Sequence, residues 1–591
     1  MGGRRPLRLL RPYAFQLLPR KPDLYCRFYS VIRSTCAGHD PSNRSRLDAR
    51  ECSRQVYTLA RQPVSATESP STVKAKRIKK LEQFNALQYP RLPILTPDDP
   101  PTLSITVAEF RQRYDDLSPD VADIAREVTL QGRITAIRRL GSKLVFLDIQ
   151  GSFAKVQVQI GSNAFSEQVT HKEFKDAVGP LLRGDFVSLT GTPCRTNVGE
   201  LTLRLTKLPK LMSPSLLPIP ESLVDEETMV QNRSMDLLVN PKSSDLLRFR
   251  SDLIWWLRNY FREGGFMEVQ TPILSDYAGG ATARPFLTSA TEFPNKELAL
   301  RIAPELWLKR LVVGGFDKIY EIGPAFRNEG LDATHNPEFT MCEFYSAFSS
   351  LQDLCRFTQD LIRYLAKQSD TVISAGQYAS LEPIDHAYFD LRIKKIQFIP
   401  GLEKAIGIKF PDLQAPDALD QLVAELTEKK FAVTPDLTLN KLLDRLAGVF
   451  LERISFHQPI FITHHPACMS PLAKSFICPE TGQLVSARAE LFIKGAEIAN
   501  MYEEENNPFE QRRKFEQQVQ AAESGDAEAV EGRVKVDESF IQALECGLPP
   551  TGGWGCGIDR LVMLFSGAKR ISSTLAFGNL RHVVSPPKME K

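Results

Sequence analysis

The sequence predicts an α+β protein in which a small five-stranded β-barrel precedes a larger domain of helices and strands. Five short runs of alternating apolar residues lie close together between about residues 126 and 210. Helical and strand patterns alternate from about residue 230 onward. The 591 residues are 42% hydrophobic and 25% charged, which is ordinary for a globular protein of roughly two to four domains.

Residues 1–72 are predicted to be a targeting segment followed by a linker. Residues 1–50 hold eleven Lys and Arg against three Asp, a net charge of +8, whereas the whole chain carries only +3. An arginine-rich, acid-poor stretch without a continuous apolar run is typical of a mitochondrial targeting segment. A disordered basic tail is the alternative that the composition leaves open. Residues 35–72 show no helical or strand period and are predicted to be a linker.

Residues 73–125 are predicted to form a basic helix and a connector. From Lys74, apolar residues between Ile78 and Leu87 recur at helical spacing, and five Lys and Arg crowd the first turns. Such a charge would attract a polyanion. A basic helix that only faces solvent fits the same pattern, so both interpretations stay open.

Residues 126–215 are predicted to form the barrel. Five strands in about 85 residues, separated by turn residues, fit the OB type, which commonly binds single-stranded nucleic acid by stacking bases on aromatic rings. Phe146, beside an amide at Gln157 and a carboxylate at Glu200, could hold one unstacked base. A phenylalanine within a strand is more often part of the core, so the pattern alone does not decide.

The larger domain is predicted to span residues 230–591 and to begin with a helix and a strand at about 244–272. Apolar residues from Leu246 to Phe261 keep a helical stripe, and Gly264-Gly265 would end the helix. The run FMEVQTPIL then reads as a strand that ends near Pro272.

The run KIYEIGPAFRNEGLDATHNPEFTMCEFYSAF is predicted to be a strand, a loop and a second strand. Because alternate side chains of a strand share a face, the two strands could direct several charged groups toward one pocket. These residues are Arg327 and Glu329 in the first strand, Phe339, Glu343 and Tyr345 in the second, and His335 and Asn336 in the loop. A buried face with so many charges is costly unless a charged ligand binds there, and an arginine beside a ring suits a nucleotide.

The run SARAELFIKGAEIANMYEEEN is predicted to be a hairpin that turns at Lys494-Gly495. A two-residue turn would place Glu490 and Glu497 diagonally on one face, a spacing suited to a divalent metal and nucleotide phosphates. A bulge would be needed to bring three later residues to the same site. Those residues are Asn500, Tyr502 and Glu504. A solvated acidic strand pair is the alternative.

The run GLPPTGGWGCGIDRLVMLF supplies a glycine-rich strand and the start of a helix. Glycines allow a ligand to approach the backbone, and Arg560 at the helix N-terminus would make a triphosphate clamp. The phosphate-binding pattern GxxxxGK[ST] does not occur here.

These three elements, in this order, resemble the signature motifs of class II aminoacyl-tRNA synthetases. Six sequence runs are similar to those of lysyl-tRNA synthetases: "GGATARPF", "RIAPELWLKRLVVGGFDKIYEIG", "THNPEFTMCEFY", "SPLAK", "EIANMYEEEN" and "GLPPTGGWGCGIDR". The resemblance extends from about residue 75 to the C-terminus. Together with the basic first segment, the chain resembles a mitochondrial member. Ala489, where relatives often have Phe, and the tail LAFGNLRHV depart from the family pattern.

The resemblance implies a catalytic domain on a mostly antiparallel sheet flanked by helices, over residues 230–591. It also implies ATP, L-lysine and tRNA(Lys) as substrates, Mg²⁺ bound with ATP, and a homodimer formed through residues 244–272. The anticodon would be read by the barrel, and the site of action would be the mitochondrial matrix. No uncharged apolar run of 18 residues occurs, so we expect no membrane insertion.

The family also implies a role for each matching residue. The ATP site would comprise Arg327, Glu329, His335, Asn336, Phe339, Glu490, Glu497 and Arg560, with Arg327 and Arg560 as the catalytic cations and Glu490 and Glu497 as the magnesium ligands. The lysine site would comprise Gly280, Glu305, Glu343, Tyr345, Asn500, Tyr502 and Glu504. The anticodon residues would be Phe146, Gln157 and Glu200.

Other functions compete with this prediction. A zinc site among His464, His465, Cys468 and Cys478 is disfavoured because their spacing does not pair them as ligands, so no zinc is expected. A non-catalytic relative that only binds nucleic acid would not need every phosphate- and metal-binding group. A lysine ligase acting on proteins would lack the barrel, and "HNPEFT" with "APEL" disfavours an aspartate or asparagine enzyme.

Overall fold

The computed structural model describes residues 69–92, 103–118, 127–165, 169–276, 283–431, 433, 438–523 and 536–578. The predicted targeting segment, most of the linker and Gly280 lie outside these residues. The chain divides into two compact units, residues 1–83 and 84–591. None of the helices among the described residues combines the length and apolar character that a membrane-spanning segment needs.

The first unit contains a basic helix where the sequence predicts one. Helix α1 spans Pro70–Gln83, and Lys74 and Lys79 on it are exposed. The helix ends before Phe84, so the predicted apolar stripe through Leu87 is wrong beyond Gln83. Contact of this helix with a polyanion stays a prediction.

The second unit begins with the predicted barrel. Its strands are β1 (Leu103–Ile105), β2 (Val128–Leu140), β3 (Leu144–Gly151), β4 (Ala154–Gly161), β5 (Phe186–Arg195), β6 (Leu201–Leu205) and β7 (Lys210–Ser213). Its helices are α2 (Val107–Tyr114) and α3 (His171–Val178). The five predicted runs correspond to β2–β6, which follow the order β2-β3-β4-β6-β5. Because β5 also pairs with β2, these five strands close into a ring, and the predicted OB-type architecture is confirmed.

The period of two decides which side chains fill this ring. Val145, Leu147 and Ile149 of β3 are buried, whereas Phe146 and Asp148 between them are partly exposed. Alternate residues of a strand point to opposite faces, so Phe146 belongs to the outer face and not to the core.

Among its described residues, the larger domain contains thirteen α-helices and thirteen strands. Its helices are α4 (Glu226–Gln231), α5 (Arg233–Val239), α6 (Pro241–Glu263), α7 (Glu305–Val313), α8 (Leu351–Ser374), α9 (His386–Asp390), α10 (Phe398–Ile406), α11 (Ala418–Glu428), α12 (Leu439–Phe450), α13 (Pro508–Glu523), α14 (Glu538–Glu545), α15 (Ile558–Ser566) and α16 (Ile571–Thr574). Its strands are β8 (Met267–Glu268), β9 (Leu274–Ser275), β10 (Leu287–Ala290), β11 (Phe293–Leu300), β12 (Lys318–Phe326), β13 (Glu338–Ala347), β14 (Lys394–Gln397), β15 (Ile460–Thr463), β16 (Ser475–Ile477), β17 (Leu484–Ser486), β18 (Arg488–Ile493), β19 (Ala496–Glu503) and β20 (Thr551–Gly557).

Eight of these strands form the sheet that carries the site. Their order is β14-β15-β18-β19-β20-β13-β12-β8, and every pairing is antiparallel except β14 with β15 and β12 with β8. Helices α6 and α8 pack on one face of this sheet, with residues such as Phe249 and Leu361 in a shared hydrophobic core. The predicted α+β domain on a mostly antiparallel sheet is confirmed.

The predicted helix and strand at 244–272 are found with different lengths. Helix α6 ends at Glu263, and Gly265 adopts a left-handed backbone with φ of +79°, which a glycine tolerates without a steric penalty. The strand that follows comprises only Met267–Glu268, so the predicted extension to near Pro272 is wrong.

The two faces of the sheet differ in chemistry. On β13, Phe344 lies in the hydrophobic core under the helices, while Glu343 and Tyr345 point to the other face. On β19, Met501 joins the core and Tyr502 points to the other face. Strand alternation therefore gives a dry face that holds the helices and a polar face that is available for a ligand.

Candidate active site

A cavity of about 510 Å³ opens on the polar face of the eight-stranded sheet. Thirteen predicted site residues line it, so residues far apart in sequence converge on one volume. They are Glu305, Arg327, Glu329, His335, Asn336, Phe339, Glu343, Tyr345, Glu490, Glu497, Asn500, Tyr502 and Arg560. Glu504 does not line the cavity but lies against Gly553, which does, and Gly280 lies outside the described residues.

Arg327 and Phe339 form the cationic and aromatic pair that the sequence predicts. Strand β12 ends at Phe326, so Arg327 and Glu329 lie in the loop and not in the strand as predicted. The Arg327 guanidinium carbon lies 5.2 Å from the centre of the Phe339 ring. Among the described residues its one side-chain hydrogen bond is a long one, 3.4 Å from Nε to the Ile302 carbonyl oxygen. This guanidinium is therefore available to an anionic ligand.

Arg560 connects the loop after β12 to the hairpin. It lies in the first turn of α15, where the sequence predicts it, and its Nη1 donates to the Glu497 carbonyl oxygen at 3.0 Å and to Glu497 Oε2 at 3.3 Å. Its Nη2 lies 3.1 Å from Nε2 of His335, whose Nδ1 lies 2.8 Å from Asp332 Oδ2. Because a guanidinium can only donate, His335 must accept at Nε2 and carry its proton on Nδ1, toward Asp332.

Glu490 and Glu497 reach one side of the hairpin because of a bulge. Glu497 pairs with Phe492 and Asn500 pairs with Glu490, which leaves one extra residue in β19 between these two pairs. The extra residue reverses the alternation, so Glu497 lies on the same face as Asn500 and Tyr502. The bulge that the sequence analysis requires is confirmed.

Glu490 is held as a carboxylate by two neighbours. Its Oε1 accepts from Arg488 and its Oε2 lies 3.1 Å from Nε2 of His465. Burial would raise the pKa of Glu490, but the Arg488 guanidinium and the His465 ring lower it to about 2. Two carboxylates with hard oxygen donors fit Mg²⁺, which commonly takes one or two carboxylates together with substrate phosphates. Among the described residues, no group of three or more His, Cys, Asp and Glu could hold a metal by itself.

A second group of carboxylates lies beside helix α7. Glu305, the first residue of α7, accepts a hydrogen bond of 2.6 Å from the Tyr502 hydroxyl, and Glu343 accepts one of 3.3 Å from the Tyr345 hydroxyl. Both carboxylates are about 95% buried. Burial and the nearby Glu305 raise the pKa of Glu343 to about 8, with Arg327 acting in the opposite direction.

Glu504 completes this group, and its cationic partner was not predicted. Glu504 is 1% exposed and forms an ion pair through Oε2 with Lys309, which is fully buried. Lys309 also donates to Glu305 Oε1 at 2.8 Å. The i, i+4 spacing of Glu305 and Lys309 on a helix is a signal that sequence analysis could have used.

Gly553 lies where a side chain would block this group. A Cβ atom at Gly553 of β20 would overlap Oε1 of Glu504 and come within 2.8 Å of Cε1 of Tyr345. The glycine-rich strand was predicted to allow close approach of a ligand, and at this position it also leaves room for a carboxylate.

The three barrel residues lie on one side of the barrel. Phe146 pairs across the sheet with Gln159, and Gln157 pairs with Asp148, all in partly exposed positions. The Gln157 amide accepts from Arg138 at 3.0 Å and donates to Thr202 at 3.0 Å. Glu200 is exposed, two residues before Thr202. Arg138 belongs to this group and was missed, although it lies directly opposite Phe146.

Two family models match the chain. The model for class II tRNA synthetases (D, K and N) matches residues 225–581, and the model for the OB-fold nucleic acid binding domain matches residues 128–211.

Curated relatives give a narrower family. The lysine–tRNA ligase, mitochondrial, of Schizosaccharomyces pombe is 39% identical over 86% of this chain and 93% of its own length. The lysine–tRNA ligase, mitochondrial, of Saccharomyces cerevisiae is 36% identical over 80% of this chain and 86% of its own length. The lysine–tRNA ligase of Aquifex aeolicus is 40% identical over 79% of this chain and 74% of its own length. Because these relatives are 36–40% identical over 79–86% of the chain and the class II model matches residues 225–581, the chain belongs to the lysine–tRNA ligase family of class II tRNA synthetases.

Proposed function

We propose that this chain joins L-lysine to tRNA(Lys) in two steps in the cavity above the eight-stranded sheet. The observation that carries the proposal is the set of three buried carboxylates, Glu305, Glu343 and Glu504, beside a cavity that also contains Arg327 and Arg560. Such carboxylates suit a ligand with two ammonium groups, and the arginines suit a triphosphate. ATP and L-lysine together meet both requirements.

In the first step the lysine carboxylate attacks the α-phosphorus of ATP and pyrophosphate leaves. Lysine supplies the nucleophile, so no protein base is needed. Arg327 holds the reacting carboxylate and α-phosphate, and Arg560 holds the γ-phosphate, so that catalysis comes from alignment and from positive charge at the crowded phosphates. The Phe339 ring stacks on the adenine, with Glu329, His335 and Asn336 placing the nucleotide.

Glu490 and Glu497 are the residues that would hold magnesium with the ATP phosphates. When bound, the ion neutralises phosphate charge and polarises the phosphoryl oxygens. Glu497 is already close to Arg560, and this proximity supports a shared role at the triphosphate.

In the second step the terminal ribose hydroxyl of tRNA attacks the carbonyl of the adenylate, and AMP leaves. The barrel supports recognition of the anticodon. Phe146 would stack on one base, and Gln157 and Glu200 would contact its edges. The mixed exposure of these residues, and their position outside the core, support that role.

Lysine selection follows from charge. The ε-ammonium would bind between Glu504, Glu305 and Tyr345, and the α-ammonium beside Glu343, with Asn500, Tyr502 and Gly280 completing the site. A neutral side chain of similar length would leave buried carboxylates uncompensated, which is costly.

A homodimer and a mitochondrial site of action complete the proposal. Several large apolar side chains between α6 and β9 are exposed: Trp255 (60%), Met267 (44%) and Leu274 (49%). Exposed apolar side chains in one region support a protein interface there. Two of the relatives carry the word mitochondrial in their names, and the net charge of +8 over residues 1–50 supports a targeting role and action in the matrix.

ATP–pyrophosphate exchange across the twenty amino acids and ornithine, followed by charging of tRNA, tests the proposal. Two results are expected: pyrophosphate exchange that depends on lysine, and charging of tRNA(Lys). Exchange that depends equally on arginine or ornithine, or lysine transfer to protein instead of tRNA, would refute it. For localisation, residues 1–50 are fused to a fluorescent reporter, and a variant with the arginines changed to glutamine is the control.

A further inference from the structure

Lys309 is an internal ammonium in the place where the substrate ammonium is expected. It lies one turn after Glu305 on helix α7 and is fully buried. Its Nζ contacts Glu305 Oε1 at 2.8 Å and forms an ion pair with Glu504 Oε2. It is therefore the cation that already pairs with two of the three carboxylates beside the cavity.

The two oxygens of Glu504 are in different environments. Among the described residues neither oxygen accepts a hydrogen bond of regular geometry, but Oε2 forms the ion pair with Lys309, whereas Oε1 is found in no ion pair. Oε1 lies against Gly553 and Tyr345, both of which line the cavity. A buried carboxylate oxygen without a partner is costly, and an arriving ammonium would remove that cost.

The charges balance only when a diamino acid is bound. Glu305, Glu343 and Glu504 supply three negative charges and Lys309 supplies one positive charge. The α- and ε-ammonium groups of lysine supply the two that remain, while the substrate carboxylate pairs with Arg327. Without Lys309, three carboxylates would face two ammonium groups.

We propose that Lys309 is a positioning residue for lysine selection, which holds Glu504 by one oxygen so that the other oxygen faces the substrate ε-ammonium. This inference rests on the proposed lysine site. Lys309 itself contacts no reacting atom. It favours the ionised form of Glu504 and fixes its orientation before lysine arrives, so part of the cost of burying that carboxylate is met during folding and not during binding.

The groups around Lys309 define what its removal would do. Two carboxylates face it, Glu305 from α7 and Glu504 from the residue after β19. Two aromatic rings also face it, Tyr502 from β19 and Phe540 from α14. Glu343 and Tyr345 of β13 lie close to the two carboxylates. Burial raises the pKa of Glu504 well above its ordinary value, and Lys309 opposes that rise. Loss of Lys309 would therefore raise the pKa further and leave less ionised Glu504 near neutral pH.

The test compares four variants by ATP–pyrophosphate exchange, with KM measured separately for lysine and ATP. Lys309→Met is expected to raise the lysine KM by about tenfold or more at pH 7, with the ATP KM within about twofold. The lysine KM of this variant is expected to fall toward the wild-type value as pH rises and Glu504 ionises. Lys514→Met is the matched control, because Lys514 is also buried and pairs with Glu505 at 2.8 Å outside the cavity.

Glu504→Gln and the double variant Lys309→Met/Glu504→Gln complete the cycle. If Lys309 acts through Glu504, the double variant has a lysine KM within about twofold of Glu504→Gln alone. The double variant also removes one charge of each sign, so it gives an answer even if Lys309→Met does not fold.

Several results would overturn the inference. A Lys309→Met enzyme that loses stability as Lys514→Met does, but keeps its lysine KM, shows a structural role only. Losses that multiply in the double variant show that Lys309 does not act through Glu504. If Glu504→Gln itself leaves the lysine KM unchanged, the proposed lysine site fails and this inference fails with it, whereas the first two results leave the lysine site intact.

Discussion

Replacement of Gly553 by alanine is expected to disable lysine activation while leaving ATP binding intact. The added Cβ would overlap Oε1 of Glu504, and the Tyr345 ring at 2.8 Å blocks a small shift of the backbone in that direction. Glu504 must therefore turn away, and this breaks its ion pair with Lys309. The perturbation acts on the substrate-binding carboxylate without removing any charged group.

The expected magnitude follows from the buried ion pair. Separating one partner of a buried pair costs about 3–5 kcal/mol, since it leaves a charge uncompensated. If only 1.4 kcal/mol of that cost appears in lysine binding, the lysine KM rises about tenfold, and a larger share raises it further. The ATP KM is expected to stay within about twofold because Arg327, Arg560 and Phe339 lie outside this contact.

Steady-state ATP–pyrophosphate exchange with lysine or ATP varied would measure the effect. Gly330→Ala is the matched control, because Gly330 also lines the cavity and a Cβ there meets nothing within 4 Å. A Gly553→Ala enzyme with a wild-type lysine KM would refute the placement of Glu504 at the substrate ammonium. Equal losses for lysine and ATP would also refute it, because they indicate a general distortion of the sheet.

Three further predictions concern other parts of the molecule. Arg327→Ala is expected to lower the exchange kcat by about a hundred- to a thousandfold with an unchanged thermal midpoint, since this guanidinium makes a single long hydrogen bond to the described part of the chain. Near-wild-type exchange would contradict its role. Burial raises the pKa of Glu343 to about 8, and in the proposed site Glu343 must be ionised to bind the α-ammonium, so the lysine KM is expected to fall as pH rises from about 6 to 8. Glu343→Gln should abolish this pH dependence. A pH dependence that persists in the variant would come from another group. Phe146→Ala is expected to raise the tRNA KM by about tenfold in charging assays without changing pyrophosphate exchange, since stacking on one base contributes about 1–3 kcal/mol. An unchanged tRNA KM would contradict the proposed stacking role.

The strands of the barrel could be predicted almost residue by residue. The run VTLQGRITAIRRL corresponds to β2 at Val128–Leu140, and AKVQVQIG corresponds to β4 at Ala154–Gly161. The period of two was clear there because one face of each strand is buried and the other faces solvent. Strand β8 was predicted too long because apolar residues continue in the sequence where the strand does not: Val269 still packs against the core, but Ile273 is 39% exposed.

Sequence parity alone could not place the proposed metal-binding pair and the proposed lysine-binding residues on one face. Glu497 and Asn500 differ in parity, and only the extra residue between the pairs Phe492–Glu497 and Leu491–Ala499 reverses the alternation. A bulge has no reliable sequence pattern, because it depends on how two strands meet and not on one strand. The resemblance to a family supplied what the pattern could not.

The contact of Lys309 with Glu504 could not be predicted because it joins elements that are far apart in sequence. The pattern of α7 shows only the i, i+4 pair with Glu305, which on most helices is an exposed pair of little consequence. Burial strengthens the interaction between the two charges and makes the loss of either partner costly. This burial comes from β13, β19 and α14, which pack over the helix. The chemistry of this residue is therefore set by tertiary structure.

Four of the carboxylates at the cavity are paired with cations of the protein itself. Glu490 pairs with Arg488, Glu497 with Arg560, and both Glu305 and Glu504 with Lys309. Bare carboxylates at these depths would cost several kcal/mol each. In the proposed site, lysine and a metal with ATP thus add cations beside carboxylates that already have a cationic partner. Burial raises the pKa of Glu343 to about 8, so this carboxyl group must release a proton near neutral pH as lysine enters. Release of that proton on lysine binding, measurable by calorimetry in buffers of different ionisation enthalpy, would distinguish this arrangement from one in which Glu343 is already ionised before lysine binds.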